Sequence, residues 1–141
     1  VHGEQAFAAA RAMLGVRFRP QGRDAARGLD CVGLIWAAYA AAQIPLRAPI
    51  GYPLRGWRGL RIAAALEQSG LVWVGEIGQT DRRIGDVLLC GLGAGQCHLG
   101  LGGMASVIHA HAGLGRVVEA PWDADWAEAA VWRVPDGALT E

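Results

Sequence analysis

Cys31, His98, His109 and His111 are the residues of this chain whose types and spacing can do covalent chemistry. A cysteine acts as a nucleophile when an imidazole takes its proton and returns it to the leaving group, and a third polar group fixes the tautomer of that imidazole. Cys31 stands in the stretch Arg27-Gly28-Leu29-Asp30-Cys31-Val32-Gly33-Leu34-Ile35-Trp36. Gly28 suits a tight turn, Asp30 is a good N-cap, and Leu34, Ile35, Ala37 and Ala38 read as a buried helix stopping near Gln43. The cysteine is therefore expected in the first turn of a helix, where unpaired N–H groups and the positive end of the macrodipole favour a thiolate. A lone cysteine among Val, Gly and Leu is otherwise a small buried hydrophobe, so the assignment depends on its partners.

His98 opens the run His98-Leu99-Gly100-Leu101. Strand alternation puts it on the face of Gly100, whose missing side chain leaves room for a substrate or for the Cys31 helix. His109 and His111 are two residues apart and share a face, so periodicity does not choose between them as the orienting group. A competing set for His98 is zinc ligation with Cys90 and Cys97, but their separation is not a short C-x-x-C clasp. Read simply, those two cysteines are small residues at the ends of facing strands. A thiol-imidazole mechanism calls for no metal and no cofactor.

The elements that must position these residues are helices first and strands afterwards, the segregated order of an α+β fold. Glu4–Leu14 reads as a short amphipathic cover helix, and Val16–Phe18 as extended. The stretch from Pro20 to Gly28 reads as a polar loop, and Leu60–Leu66 as a third helix ending at Ser69-Gly70. Pro45, Pro49, Gly51, Pro53 and Gly56 make the next stretch irregular, and Tyr52 and Trp57 within it can line a groove. Short β-type runs follow at Leu71–Val74, Asp86–Leu89, His98–Leu101, Ser106–His109, Arg116–Glu119 and Ala130–Val134, with a helical turn expected around Asp125–Glu128.

Composition bounds the function. At 141 residues and 52% hydrophobic the chain is expected to form one domain, residues 1–141, with an ample core. Thirteen basic residues, all arginine, balance thirteen acidic ones, so the electrostatic footprint of a nucleic-acid binder is missing. Three cysteines at irregular spacing argue against a disulfide framework. No stretch approaches the roughly 18 apolar residues of a membrane span, and no basic segment followed by an apolar run opens the sequence.

In order and spacing, Gly28-Leu29-Asp30-Cys31-Val32-Gly33-Leu34, Ile84-Gly85-Asp86-Val87-Leu88-Leu89, His98-Leu99-Gly100-Leu101 and Val107-Ile108-His109-Ala110 resemble the NlpC/P60 cell-wall peptidases, particularly the phage and gene-transfer-agent branch. The resemblance covers about Leu14 to Val134. It implies a papain-like α+β fold with N-terminal helices packed on an antiparallel β-sheet. It also implies a cysteine endopeptidase that cuts peptidoglycan stem peptides, commonly between D-glutamate and diaminopimelate. Carried over residue by residue, it makes Cys31 the nucleophile, His98 the base and His109, in the family's "IHA" segment, the third polar residue. It makes Asp86 a structural aspartate at a strand start.

Two departures from the family pattern stand out. Phe18 occupies the place where many relatives carry a tyrosine, so a phenolic hydroxyl is absent, and Val32 replaces the usual serine. Near the expected cleft in sequence, Arg23 and Arg27, with Arg17, Arg19, Arg55 and Arg58 around them, can bind stem-peptide carboxylates bidentately, and Trp57 can wall the groove. Trp122, Trp126 and Trp132 read as packing or as a docking surface. The family branch implies tail-tip or baseplate partners. It also implies synthesis in the bacterial cytoplasm and delivery on a phage-like tail to act in the cell envelope. A non-catalytic module of a tail tip, or acyl transfer at the same site, are the rival readings.

Overall fold

A helix that is apolar on every side calls for burial along most of its length, and α2 (Cys31–Ala41) is buried from Val32 to Tyr39 save for the half-buried Ala37. The computed structural model describes residues 2–20, 22–44, 46, 59–77, 81–93, 96–122, 126 and 129–135, leaving aside the side chains of 59–63, 91–93, 96 and 97. Val32, Leu34, Ile35, Trp36, Ala38 and Tyr39 of α2 are all buried, between α1 (His2–Arg11), which contributes Ala6, Phe7 and Ala10, and one face of a sheet. Each fully buried Leu or Ile there contributes about 2 kcal/mol of transfer free energy. The Tyr39 hydroxyl donates to the Gly85 carbonyl, pinning the last turn of α2 to the turn ahead of the central strand β4.

The sheet comprises β3 (Val72–Glu76), β4 (Val87–Gly93), β5 (Gln96–Gly102), β6 (Ser106–His111), β7 (Arg116–Pro121) and β8 (Ala130–Arg133), in the order β3-β8-β4-β5-β6-β7 with every pair antiparallel. Leu66 of α3 (Gly59–Gln68) joins the core shared by α1, α2 and the sheet. The α+β architecture and the helix-then-strand order are those expected from the sequence. Boundaries shift: α1 ends at Arg11 rather than Leu14, and β5 begins at Gln96, two residues before His98.

Strand alternation divides the sheet into two packed faces. Val87, Leu99, Leu101, Ile108, Ala110 and Trp132 turn toward the helices. Leu88, Cys90, Val107 and Val131 turn the other way and form a second cluster with Trp126 and Ala129. Asp86, just ahead of β4, is buried and takes a two-pronged contact from Arg133 at the end of β8, Nε to Oδ1 at 2.8 Å and a terminal nitrogen to Oδ2 at 2.9 Å. Its structural role matches expectation, while its arginine partner, more than forty residues away in sequence, has no local signature.

One expectation is corrected. The stretch ahead of Gly28, read as a polar loop, contains a tight hairpin of β1 (Arg23–Asp24) and β2 (Gly28–Leu29). Asp24 makes the turn: its Oδ1 accepts from Ala26 N–H at 2.9 Å and its carbonyl from Arg27 N–H at 3.0 Å. Gly28 closes it with φ of +133°, a conformation only glycine adopts without strain. Phe18 pairs with Leu29 and Arg17 with Arg116 through isolated bridges, which tie the hairpin to β7. Of the helical turn expected at Asp125–Glu128, only Trp126 lies within the described residues, and Tyr52, Arg55, Trp57 and Arg58 lie outside them.

Candidate active site

Asp30 sets the first turn of α2. Its backbone is extended and its Oδ1 accepts from Gly33 N–H at 2.7 Å, which makes it the N-cap and places Cys31 at the first helical position. Cys31 is a half-buried free thiol packed against the helix-side core. The backbone N–H of Leu99 is directed to its sulfur. Leu99 follows His98 directly, and the recorded β5–β6 pairs are Gly102 with Val107 and Leu101 with Ile108, so the thiol meets β5 beyond that paired stretch.

His98 turns to the opposite face, and so does His109. The two imidazoles meet across the strands, His98 Nε2 to His109 Nδ1 at 2.8 Å, with ring centroids 4.9 Å apart and planes at 82°. This bond engages His98 through Nε2 rather than Nδ1. His111 lies 5.6 Å from His109 ring to ring, but its Nδ1 accepts from Leu114 N–H at 3.0 Å within its own turn. The direct partner of His98 is therefore His109, the choice that periodicity alone left open.

Two expectations change here. The space above Gly100 holds neither substrate nor the Cys31 helix. A Cβ added there would lie 2.6 Å from both Trp126 Cη2 and Val107 Cγ1, so the missing side chain accommodates the indole. The thiol also departs from the anionic state expected at a helix start. Although Cys31 is only half-buried as a residue, desolvation is the largest influence on its thiol, followed among the upward ones by the Asp30 charge, and it is pushed up to about 11. The N–H groups of Leu99, Val32 and Cys31 itself pull the other way without prevailing. Burial, and then the charges of His109 and His111, push His98 down to about 3. Both groups therefore rest neutral, a thiol at the start of α2 and an imidazole on β5, the strand whose Leu99 N–H is directed to that thiol.

The predicted substrate contacts are brought together in part. Arg23 lies half-buried in β1 and Arg27 is exposed at the hairpin turn, beside the start of α2. The carbonyl of Arg27 accepts from Arg17 Nε at 2.7 Å, so an arginine ahead of the hairpin braces its turn. Trp57 lies outside the described residues. The residues that sequence reasoning missed are Leu99, which acts through its backbone N–H and so leaves no signal in the side-chain pattern, and Trp126 as a neighbour of the histidines. Gly100, two residues along from His98, is the one trace of Trp126 in the pattern.

No family model matches the chain, and no curated protein matches it. Solved structures do. A structure of NlpC1 from Trichomonas vaginalis superimposes with a TM-score of 0.68 at 18% identity, over 93% of this chain and 44% of that one. The NlpC/P60 domain of the peptidoglycan hydrolase SagA gives 0.60 at 24% identity, over 93% of this chain and 98% of that domain. The peptidoglycan hydrolase RipB from Mycobacterium tuberculosis gives 0.63 at 21% identity, over 96% of this chain and 65% of that one. The chain thus spans less than half the length of the Trichomonas protein. Likeness at these identities establishes the fold, and the fold is that of NlpC/P60 domains.

Proposed function

We propose that this protein is a cysteine endopeptidase that hydrolyses amide bonds in peptidoglycan stem peptides, of the D-glutamate to diaminopimelate type. The observation that carries the reading is the His98–His109 hydrogen bond at 2.8 Å on the strand whose next N–H reaches the Cys31 sulfur. Cys31 Sγ attacks the carbonyl carbon while its proton passes to His98 Nδ1. His98 then donates through Nε2–H to His109 Nδ1, which fixes the tautomer. First-turn N–H groups of α2 not taken by Asp30 face the developing oxyanion. The imidazolium protonates the leaving amine, and the imidazole then activates the water that releases the acyl group.

Arg23 and Arg27 supply charge for the carboxylates of the stem peptide, and Trp57 a wall for its apolar part. The substrate class is supported by the peptidoglycan hydrolases that share the fold. Delivery by a phage or gene-transfer-agent tail, with tail-tip or baseplate proteins as partners and the cell envelope as site of action, belongs to the same proposal. It rests on the motif resemblance. The raised thiol, together with Phe18 in place of a tyrosine, favours as second reading a weakly active or non-catalytic module of such a tip.

Digestion of purified peptidoglycan by wild type and Cys31→Ser, with mass-spectrometric identification of the fragments, tests the function. The expected result is new stem-peptide ends from the wild type alone. Identical fragment patterns from both proteins would reject Cys31 as nucleophile, and no fragments from either would leave the binding module as the better reading.

A further inference from the structure

Trp126 is 3% exposed and is the aromatic neighbour common to both site histidines. Its ring centroid lies 5.7 Å from that of His98, tilted by 41°, and 5.4 Å from that of His109, at 67°. Its far edge occupies the place that a side chain at Gly100 would fill, and Leu88, Cys90, Val107, Ala129 and Val131 complete the apolar shell around it. An imidazole pair open to water exchanges its mutual hydrogen bond for bonds to solvent at little cost, so its geometry is loosely held. Behind an apolar wall the same bond is stronger and has no competitor. The indole face would also attract an imidazolium, which works in the opposite sense. At His98 burial is the leading influence and the balance falls toward the neutral ring.

We propose that Trp126 is the positioning residue of the histidine pair: its indole holds His98 edge-on to His109 and keeps water from their hydrogen bond, so that His98 meets the thiol as a neutral base. The proposal rests on the reading of His98 as the proton acceptor for Cys31. It goes beyond that reading by adding a residue that touches neither thiol nor substrate and acts through the imidazoles. The titratable groups that bear on His98 among the described residues are His109 and His111 from β6, and Cys90 stands opposite it on β4. None of these is altered by changing Trp126 or Gly100.

The test is a histidine-ring NMR titration of the whole chain without substrate, for wild type, Trp126→Phe, Trp126→Leu and Gly100→Ala. In the wild type His98 stays neutral well below the ordinary imidazole range. Trp126→Leu opens the pair to water and moves the His98 midpoint up by about one pH unit or more, and Trp126→Phe restores most of the wild-type value. Gly100→Ala displaces the indole without removing it and gives the same upward movement, which keeps the question answerable if Trp126→Leu fails to fold. A His98 midpoint unchanged in Gly100→Ala and in whichever Trp126 variants fold overturns the proposal. In hydrolysis the acid limb of kcat moves with the midpoint while KM stays within about twofold. Because the titration needs no turnover, loss of the peptidase reading leaves this result standing on its own, and the converse also holds.

Discussion

Replacing His98 with glutamine should make the protein less sensitive to acid, by an amount that follows from where the imidazole sits. In the folded protein His98 takes a proton only near pH 3, whereas in the unfolded chain it does so near the ordinary 6.5. Above 6.5 both states hold it neutral, and its contribution to stability is fully present. As pH falls through 6.5 the unfolded chain gains a proton that the folded protein refuses, so stability is lost progressively until the folded value is reached. Each pH unit inside that window costs about 1.4 kcal/mol, so at pH 4.5 the wild type has lost about 3 kcal/mol through this one residue. Glutamine cannot titrate, yet it keeps a polar group beside His109. Urea unfolding of both proteins at pH 7.5 and 4.5 isolates the effect, because the carboxylates and the remaining histidines titrate in both and largely cancel. The wild type should lose about 3 kcal/mol more than His98→Gln. Curves that shift in parallel, within about 0.5 kcal/mol, would show that His98 is not held neutral by its surroundings, and the account of the site as a neutral pair would fall.

Other perturbations follow from the same contacts. Asp86→Asn breaks the buried pair with Arg133 and should cost about 3 kcal/mol in urea unfolding, with kcat for the folded fraction preserved. Asp30→Asn keeps a cap to Gly33 but removes a charge that raises the Cys31 thiol; iodoacetamide labelling of Cys31 at pH 8 should therefore speed up, and an unchanged rate would refute the electrostatic role. His109→Ala should lower kcat by about 100-fold with little change in KM, and His109→Asn should recover part of it because the amide oxygen can accept from His98.

Much of this arrangement is legible in the sequence because it is local or periodic. Asp30 and Gly28 announce a cap and a turn, the apolar run after Cys31 announces a buried helix, and both announcements hold. Alternation in His98-Leu99-Gly100-Leu101 and Val107-Ile108-His109-Ala110 assigns side chains to faces correctly, and Leu99, Leu101, Ile108 and Ala110 do reach the helices. What stays hidden depends on partners distant in sequence. Nothing near Gly100 tells that Trp126 fills its vacancy, and nothing near Asp86 points to Arg133. The hairpin at Arg23–Leu29 is missed because two-residue strands carry no periodicity, although Asp24 and Gly28 are turn residues in plain view. The thiol illustrates a competition that sequence cannot weigh: the helix start is present as expected, but the degree of burial decides, and burial is a property of the folded surroundings.

In the proposed reaction Cys31 forms a covalent acyl intermediate with a stem peptide. Acid quenching of wild-type protein mixed with a synthetic stem peptide, followed by mass spectrometry of the proteolytic fragment containing Cys31, measures that intermediate directly. The expected result is a mass gain equal to the acyl portion of the peptide on that fragment, absent from Cys31→Ala and accompanied by one equivalent of released amine. Release of amine by Cys31→Ala at the wild-type rate, with no adduct on Cys31 in either protein, would contradict it.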